Sequence, residues 1–157
     1  VGYATDLKMN PPLRPEADRA ALLRGIREAA IDAIATDHAP HHVDEKSLEF
    51  SRAPFGTIGL ETAVPVCLSR LVHAKEVTLP RLVELFSTGP ARVLGVPGGT
   101  LEPGAPADVT VLDLERTVTI DPTTFRSKGR NCAFKGWPLK GAAVMTIVDG
   151  RVVHDAR

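Results

Sequence analysis

At Gly95 the text of this 157-residue chain changes grammar, and that change limits the folds open to it. Before it, apolar residues recur at helical spacing; after it, short β-rich runs lie between the turns Pro97-Gly98-Gly99, Pro103-Gly104 and Ala105-Pro106. The first part predicts a helix from Arg14-Pro15-Glu16, with Leu22, Leu23, Ile26, Ala29 and Ala30 on one face. A second helix is expected over residues 59–73, with Leu60, Val64, Cys67, Leu68 and Leu71 inward and Pro65 as its kink point. A third starts at the N-cap Thr78, and Gly89-Pro90 reads as its break before a short turn to Leu94. The second part predicts strands over residues 108–112, 118–120 and 144–148, and Asp149-Gly150 before Arg151-Val152-Val153 signals a hairpin. Residues 1–94 therefore read as α/β and residues 95–157 as a small all-β segment.

Within the α/β part, residues 31–41 (IDAIATDHAPH) carry the strongest chemical signal. Ile31, Ala33 and Ile34 suit a short buried strand, and Thr36-Asp37-His38 fall where it would leave the sheet. In a parallel α/β barrel that end of the strand is the catalytic face, which makes Asp37 the residue to explain. The competing reading is an Asp that caps a turn before Pro40. Likewise Asn10 before Pro11-Pro12 is either a common turn or an amide held extended, with a donor and an acceptor ready for a ligand. The polar, irregular residues 41–55 are long enough for a functional loop.

Nineteen basic residues balance nineteen acidic ones, so no net field draws the chain to nucleic acid or to an anionic membrane, and a small-molecule partner is expected. Cys67 and Cys132 lie far apart and outside any C-x-x-C spacing; both read as reduced and buried, in a cytoplasmic protein. The first residues given lack the charged-then-apolar build of a secretory signal, and no apolar run is long enough for a bilayer. The start at Val1-Gly2-Tyr3, in loop-like text, looks cut from something longer.

Three motifs in order, Lys8-Met9-Asn10-Pro11-Pro12-Leu13-Arg14, Ala35-Thr36-Asp37-His38-Ala39-Pro40-His41 and residues 53–61 (APFGTIGLE), closely resemble the C-terminal part of the bacterial-type dihydroorotases of the amidohydrolase superfamily. The resemblance continues through Ser87-Thr88-Gly89-Pro90-Ala91, Gly104-Ala105-Pro106-Ala107-Asp108 and Gly129-Arg130-Asn131 to the end of the chain. It implies the last units of a metal-dependent hydrolase (β/α)8 TIM-like barrel over residues 1–94, and the C-terminal part of a β-sandwich over residues 95–157. A whole barrel takes roughly 250 residues.

The activity so implied is reversible, zinc-dependent cyclisation of N-carbamoyl-L-aspartate to L-dihydroorotate, a step of pyrimidine synthesis, with one or two Zn ions in a complete site. By resemblance Asp37 is both metal ligand and proton shuttle, His41 contacts the substrate carboxylate, and Asn10 and the backbone at Phe55 and Gly56 bind the ring or its open ureido form. His38 is expected to support the loop and His42 to face solvent; Lys8 and Arg14 read as loop-bracing or surface residues, and His73 and His154 as structural. The superfamily's His-x-His pair and remaining metal ligands would lie upstream, for no H-x-H occurs here, and the isolated chain is then expected to be inactive. The implied partners are the substrate, the N-terminal half of the same enzyme, and a second copy or aspartate carbamoyltransferase. Two alternatives stand beside this: a related cyclic amidase, hydantoinase or allantoinase, and a non-catalytic dihydroorotase-like scaffold of aspartate carbamoyltransferase.

Overall fold

The structure is a computed structural model that describes residues 2–157. Its elements run α1 (Glu16–Arg27), α2 (Val43–Lys46), α3 (Ala63–Cys67) continuing as a π-helical turn (Leu68–Val72), α4 (Leu79–Phe86), α5 (Thr88–Leu94), then β1 (Val109–Thr119), β2 (Pro138–Val148) and β3 (Arg151–Asp155). All described helices of four residues or more precede Gly95 and all named strands follow it. The chain forms two compact units interleaved in sequence. One contains the stretch ending at Ala20, Thr36–Ala63 and Thr119–Pro138; the other contains Ala21–Ala35, Val64–Val118 and Leu139–Arg157.

The second unit is built on helix faces. Ile26 of α1, Val77 ahead of α4 and Leu85 of α4 are buried together, with Ile31, Ile34 and Leu71 packed against them. Helix α4 starts as its sequence dictates: the Thr78 hydroxyl accepts from the Arg81 amide at 3.4 Å and Pro80 sits in the first turn, where no backbone donor is needed. Arg81 then binds the carbonyls of Ile26 and Ile31 at 3.1 and 2.6 Å, which ties the end of α1 to α4. The strands form one sheet in the order β1-β2-β3, and the antiparallel β2–β3 hairpin turns on Asp149 and Gly150, both at positive φ.

Several local expectations need correction, and the runs expected as separate strands at 108–112 and 118–120 fall largely within one strand, β1. Residues 31–34 form no strand; a strand exists only through its partners, and here the Ile34 amide donates to the Leu85 carbonyl at 3.0 Å instead of joining a ladder. The second helix begins at Ala63, four residues after Gly59, leaving Leu60 62% exposed, and Pro65 lies in the first turn, where it removes no helical bond. Gly89-Pro90 does not end helical structure, because Pro90 falls within the first turn of α5. Helix α1 stops at Arg27, and Ala29, at φ 56°, turns the chain away, so Ala29 and Ala30 are exposed. Both cysteines are free; Cys132 is buried but Cys67 is only half-buried, and its burial still pushes the thiol up to about 11, well away from a reactive thiolate.

Candidate active site

The first unit gathers three separated segments around one cavity. Met9, Asn10, Pro11, Thr36, Asp37, Ala39, Phe55, Gly56 and Thr57 line about 270 Å³. That volume suits a single-ring metabolite. Four of the five residues singled out from the sequence, Asn10, Asp37, Phe55 and Gly56, are therefore brought together.

Asp37 stands where regular pairing begins. Beside it, His38 and Thr57 form an isolated parallel bridge, and the Ala39 amide donates to the Thr57 carbonyl at 3.0 Å. Asp37 itself has φ 44°, a left-handed conformation that Asp and Asn adopt more readily than other side-chain-bearing residues. Such backbone settings cluster at functional sites, where the surroundings over-determine them. The Asp37 carboxylate is exposed toward solvent and lines the cavity.

Gly56 answers to two constraints at once. Its φ is 133°, and a Cβ there would stand 2.6 Å from the Ala39 Cβ and 3.1 Å from His41 Nε2. Only glycine lets these two segments meet. Its amide donates to the Lys8 carbonyl at 2.8 Å, and its carbonyl accepts from Lys46 Nζ at 3.0 Å and Asn131 Nδ2 at 3.1 Å. The turn is thus rigidly held, and its amide is already engaged within the protein.

His41 is placed differently from the other four. Its ring does not line the cavity; Nε2 donates to the Phe55 carbonyl at 2.8 Å, and Nδ1 lies 3.5 Å from the Glu45 carboxylate. It sits directly behind Gly56. His38 supports the loop as expected, its Nδ1 accepting from the Gly59 and Leu60 amides at 3.1 and 3.3 Å. His42 is exposed and caps α2, with Nδ1 accepting from the Asp44 amide at 3.3 Å. His73 Nε2 donates to the Leu114 carbonyl at 2.8 Å.

Two lysines brace the loop between residues 41 and 56. Lys8 Nζ, buried, donates to the carbonyls of Phe50, Ser51 and Ala53 at 2.7, 3.1 and 2.6 Å and lies over the Phe55 ring, 4.7 Å from its centroid. Lys46 Nζ takes the carbonyls of Pro54 and Gly56, both at 3.0 Å, and its burial pushes its pKa down while Asp6 opposes that. Arg14 stays on the surface, paired with Asp18 at 2.6 Å. Asn131 is the contributor that residue-level reading missed: it is 3% exposed and its amide links the Ala39, His41 and Gly56 backbones. Its signal in the sequence is its place in Gly129-Arg130-Asn131, a phrase that carries the family resemblance without marking a role for the amide.

Metal fit can be judged from the donors. Among the described residues no group of three or more His, Cys, Asp or Glu side chains could hold a metal ion. A catalytic zinc takes about three protein ligands, so these residues do not make a metal site by themselves, and Asp37 is the single cavity-lining carboxylate they offer.

A mixed α/β frame with an acid next to an isolated parallel bridge and a small cavity beside it is what the geometry defines. The chain belongs to the amidohydrolase family, whose model matches residues 61–154. It is 55% identical over 150 residues to a dihydroorotase of Brevibacillus brevis, covering 96% of this chain and 35% of that protein. Against a dihydroorotase of Pelotomaculum thermopropionicum the identity is 51% over 157 residues, 100% of this chain and 37% of the relative. The chain thus spans about a third of the length of the curated relatives it matches. Among solved structures it is similar to an L-hydantoinase (dihydropyrimidinase) from Arthrobacter aurescens, with TM-score 0.92 and 33% identity over 98% of this chain and 35% of that one. A D-hydantoinase from a Thermus species superposes with TM-score 0.87 at 27% identity, covering 98% of this chain and 35% of that one. No helix among the described residues is long and apolar enough to cross a membrane.

Proposed function

We propose that this chain is the C-terminal portion of a cytoplasmic dihydroorotase, with residues 1–94 closing its (β/α)8 barrel and residues 95–157 belonging to its β-sandwich. The observation that carries the reading is the convergence of Asn10, Asp37, Phe55 and Gly56, from three separate segments, on one cavity of single-ring size. The identity with dihydroorotases over almost the whole chain supports it.

In the hydrolytic direction Asp37 accepts the proton of the water that attacks the ring amide, then delivers it to the nitrogen as the C–N bond breaks and the new carboxylate forms. Asp37 lines the cavity on left-handed backbone that its residue type tolerates, and its short side chain has little rotamer freedom to lose on reaction. Asn10 offers a donor and an acceptor to the ureido edge, and Phe55 and Gly56 close the cavity against the ring. His41, directly behind Gly56, is assigned to the substrate carboxylate. Zinc, one or two ions, is the cofactor this reading calls for; bound, it would polarise the amide carbonyl and acidify the water, with Asp37 as the ligand these residues supply.

The second reading is a hydantoinase, favoured by the close superposition on the Arthrobacter enzyme. Assaying the protein at its relatives' full length on dihydroorotate, hydantoin and allantoin separates the two. Turnover of dihydroorotate with weak activity on the others is expected. Preference for hydantoin would install the second reading, and no turnover of any ring, with zinc loaded, would install a scaffold role.

A further inference from the structure

The parallel pairing of the two site segments is short. It consists of the His38–Thr57 bridge, and on either side of it the carbonyls of Ala39 and Gly56 are left without a strand partner. Lys46 Nζ also donates to Gly56 O at 3.0 Å, but only a group that reaches both carbonyls can hold the two segments together. Here the side chain of Asn131 takes the place of the missing rung. Its Nδ2 donates to Ala39 O at 2.9 Å and to Gly56 O at 3.1 Å, while its Oδ1 accepts from the His41 amide at 3.1 Å. Two carbonyls facing one end of the amide and an N–H facing the other leave a single assignment of oxygen and nitrogen. No other side chain of this length carries two donors and an acceptor in one plane: Asp lacks the donors and Gln is a methylene too long.

The backbone is shaped to deliver that amide. Asn131 O accepts from Ile58 N and Thr57 Oγ1, both at 2.9 Å, which fixes the residue against the Phe55–Ile58 turn. At Gly129 a Cβ would stand 2.8 Å from Pro40 Cβ and 2.9 Å from Asn131 Oδ1, so the glycine permits the close approach of this segment to the Asp37–His41 loop.

We propose that Asn131 is a positioning residue of the site: without lining the cavity, its amide sets the spacing between the loop that carries Asp37 and His41 and the turn that carries Phe55 and Gly56. Substrate binding at that spacing rests on the dihydroorotase reading above; the spacing itself does not.

The test compares Asn131→Ala, His41→Ala and the double variant in the full-length, zinc-loaded enzyme hydrolysing dihydroorotate. Residues that act through one another couple. Asn131→Ala is expected to raise KM about tenfold in the wild-type background, yet less than about threefold where His41 is already Ala. An equal rise in both backgrounds, or a lowered melting temperature with KM unchanged, would overturn the proposal. Asn131→Asp keeps the size and the His41 contact but sets carboxylate oxygen against two carbonyls, and it should raise KM to a similar degree; a wild-type KM there would also overturn it. Should the wild-type enzyme turn over no dihydroorotate, the functional reading fails, and amide hydrogen exchange decides the positioning claim. The His41 amide should then exchange at least about tenfold faster in Asn131→Ala while amides of α4 keep their rates; unchanged exchange at His41 would sink it.

Discussion

His41 Nε2 and the Phe55 carbonyl lie 2.8 Å apart, so the histidine assigned to the substrate clamps the turn that lines the cavity. A carbonyl only accepts, which places a proton on Nε2 and leaves Nδ1, 3.5 Å from Glu45, as the ring's other contact point. Replacing His41 by Ala therefore removes this loop clamp together with the substrate contact proposed for it. In the full-length enzyme the loss should be on the order of 1.5 to 3 kcal/mol, seen mainly as a raised KM. Steady-state kinetics with zinc analysis checks this; loss of zinc would make His41 a metal ligand instead.

Asp37→Asn is the substitution that separates chemistry from backbone. Asn shares the tolerance of Asp for φ 44°, whereas Ala would add strain to the loss of the base. Without the carboxylate, turnover should fall about 10²- to 10⁴-fold in both directions, since ring opening and ring closure pass through one transition state. Kinetics from either side measure it, and near-normal kcat would remove Asp37 as the shuttle.

Much of this was legible in the chain because the relevant signals are local. Thr78 with Pro80 announces α4, Asp149-Gly150 announces the last hairpin, and the motifs around Asn10, Asp37 and Gly56 each point to the cavity they share. What stayed hidden depends on distant partners. The apolar residues 31–34 carry strand character, but periodicity cannot say whether a neighbour stands beside them, and Ile34 bonds to Leu85 of a helix. Asn131 acts across 90 residues on His41, a separation at which no local pattern marks it. For Lys8 the sequence leaves a surface role and a loop-bracing role open, and the three carbonyls around its ammonium decide for the brace.

Gly56→Ala should be costly twice over. Its Cβ would press on Ala39 Cβ at 2.6 Å, and φ 133° disfavours any L side chain. A destabilisation of about 2 kcal/mol or more is expected, together with a weakened site, because relief requires the Ala39 and Gly56 segments to part. Thermal denaturation of the full-length protein alongside KM tests both halves. A variant with unchanged stability would mean that this turn is not held as tightly as its four hydrogen-bonding neighbours Lys8, Lys46, Asn131 and His41 imply.

Glu61 gives the site-bearing unit a pH signature. Burial raises its pKa, but the hydroxyl and amide of Ser127, at 2.7 and 2.9 Å from its carboxylate, together with the Glu61 amide and the nearby His38, outweigh that and hold it below its ordinary value of 4.5. A carboxylate with a lowered folded-state pKa contributes stability that is complete above pH 4.5 and is lost as the pH falls through the lowered value. Ser127→Ala should therefore destabilise by about 1 kcal/mol at pH 7, allowing for solvent screening of a group that is partly exposed. At pH 3, below the ordinary value of 4.5, the gap between wild type and variant should narrow, because it rests on the charge of Glu61 and that charge is lost as the pH falls. Urea denaturation of both full-length proteins at the two pH values measures the gap. A difference that is the same at pH 3 and pH 7 would show that Ser127 serves the fold through its hydroxyl alone, independent of the charge on Glu61.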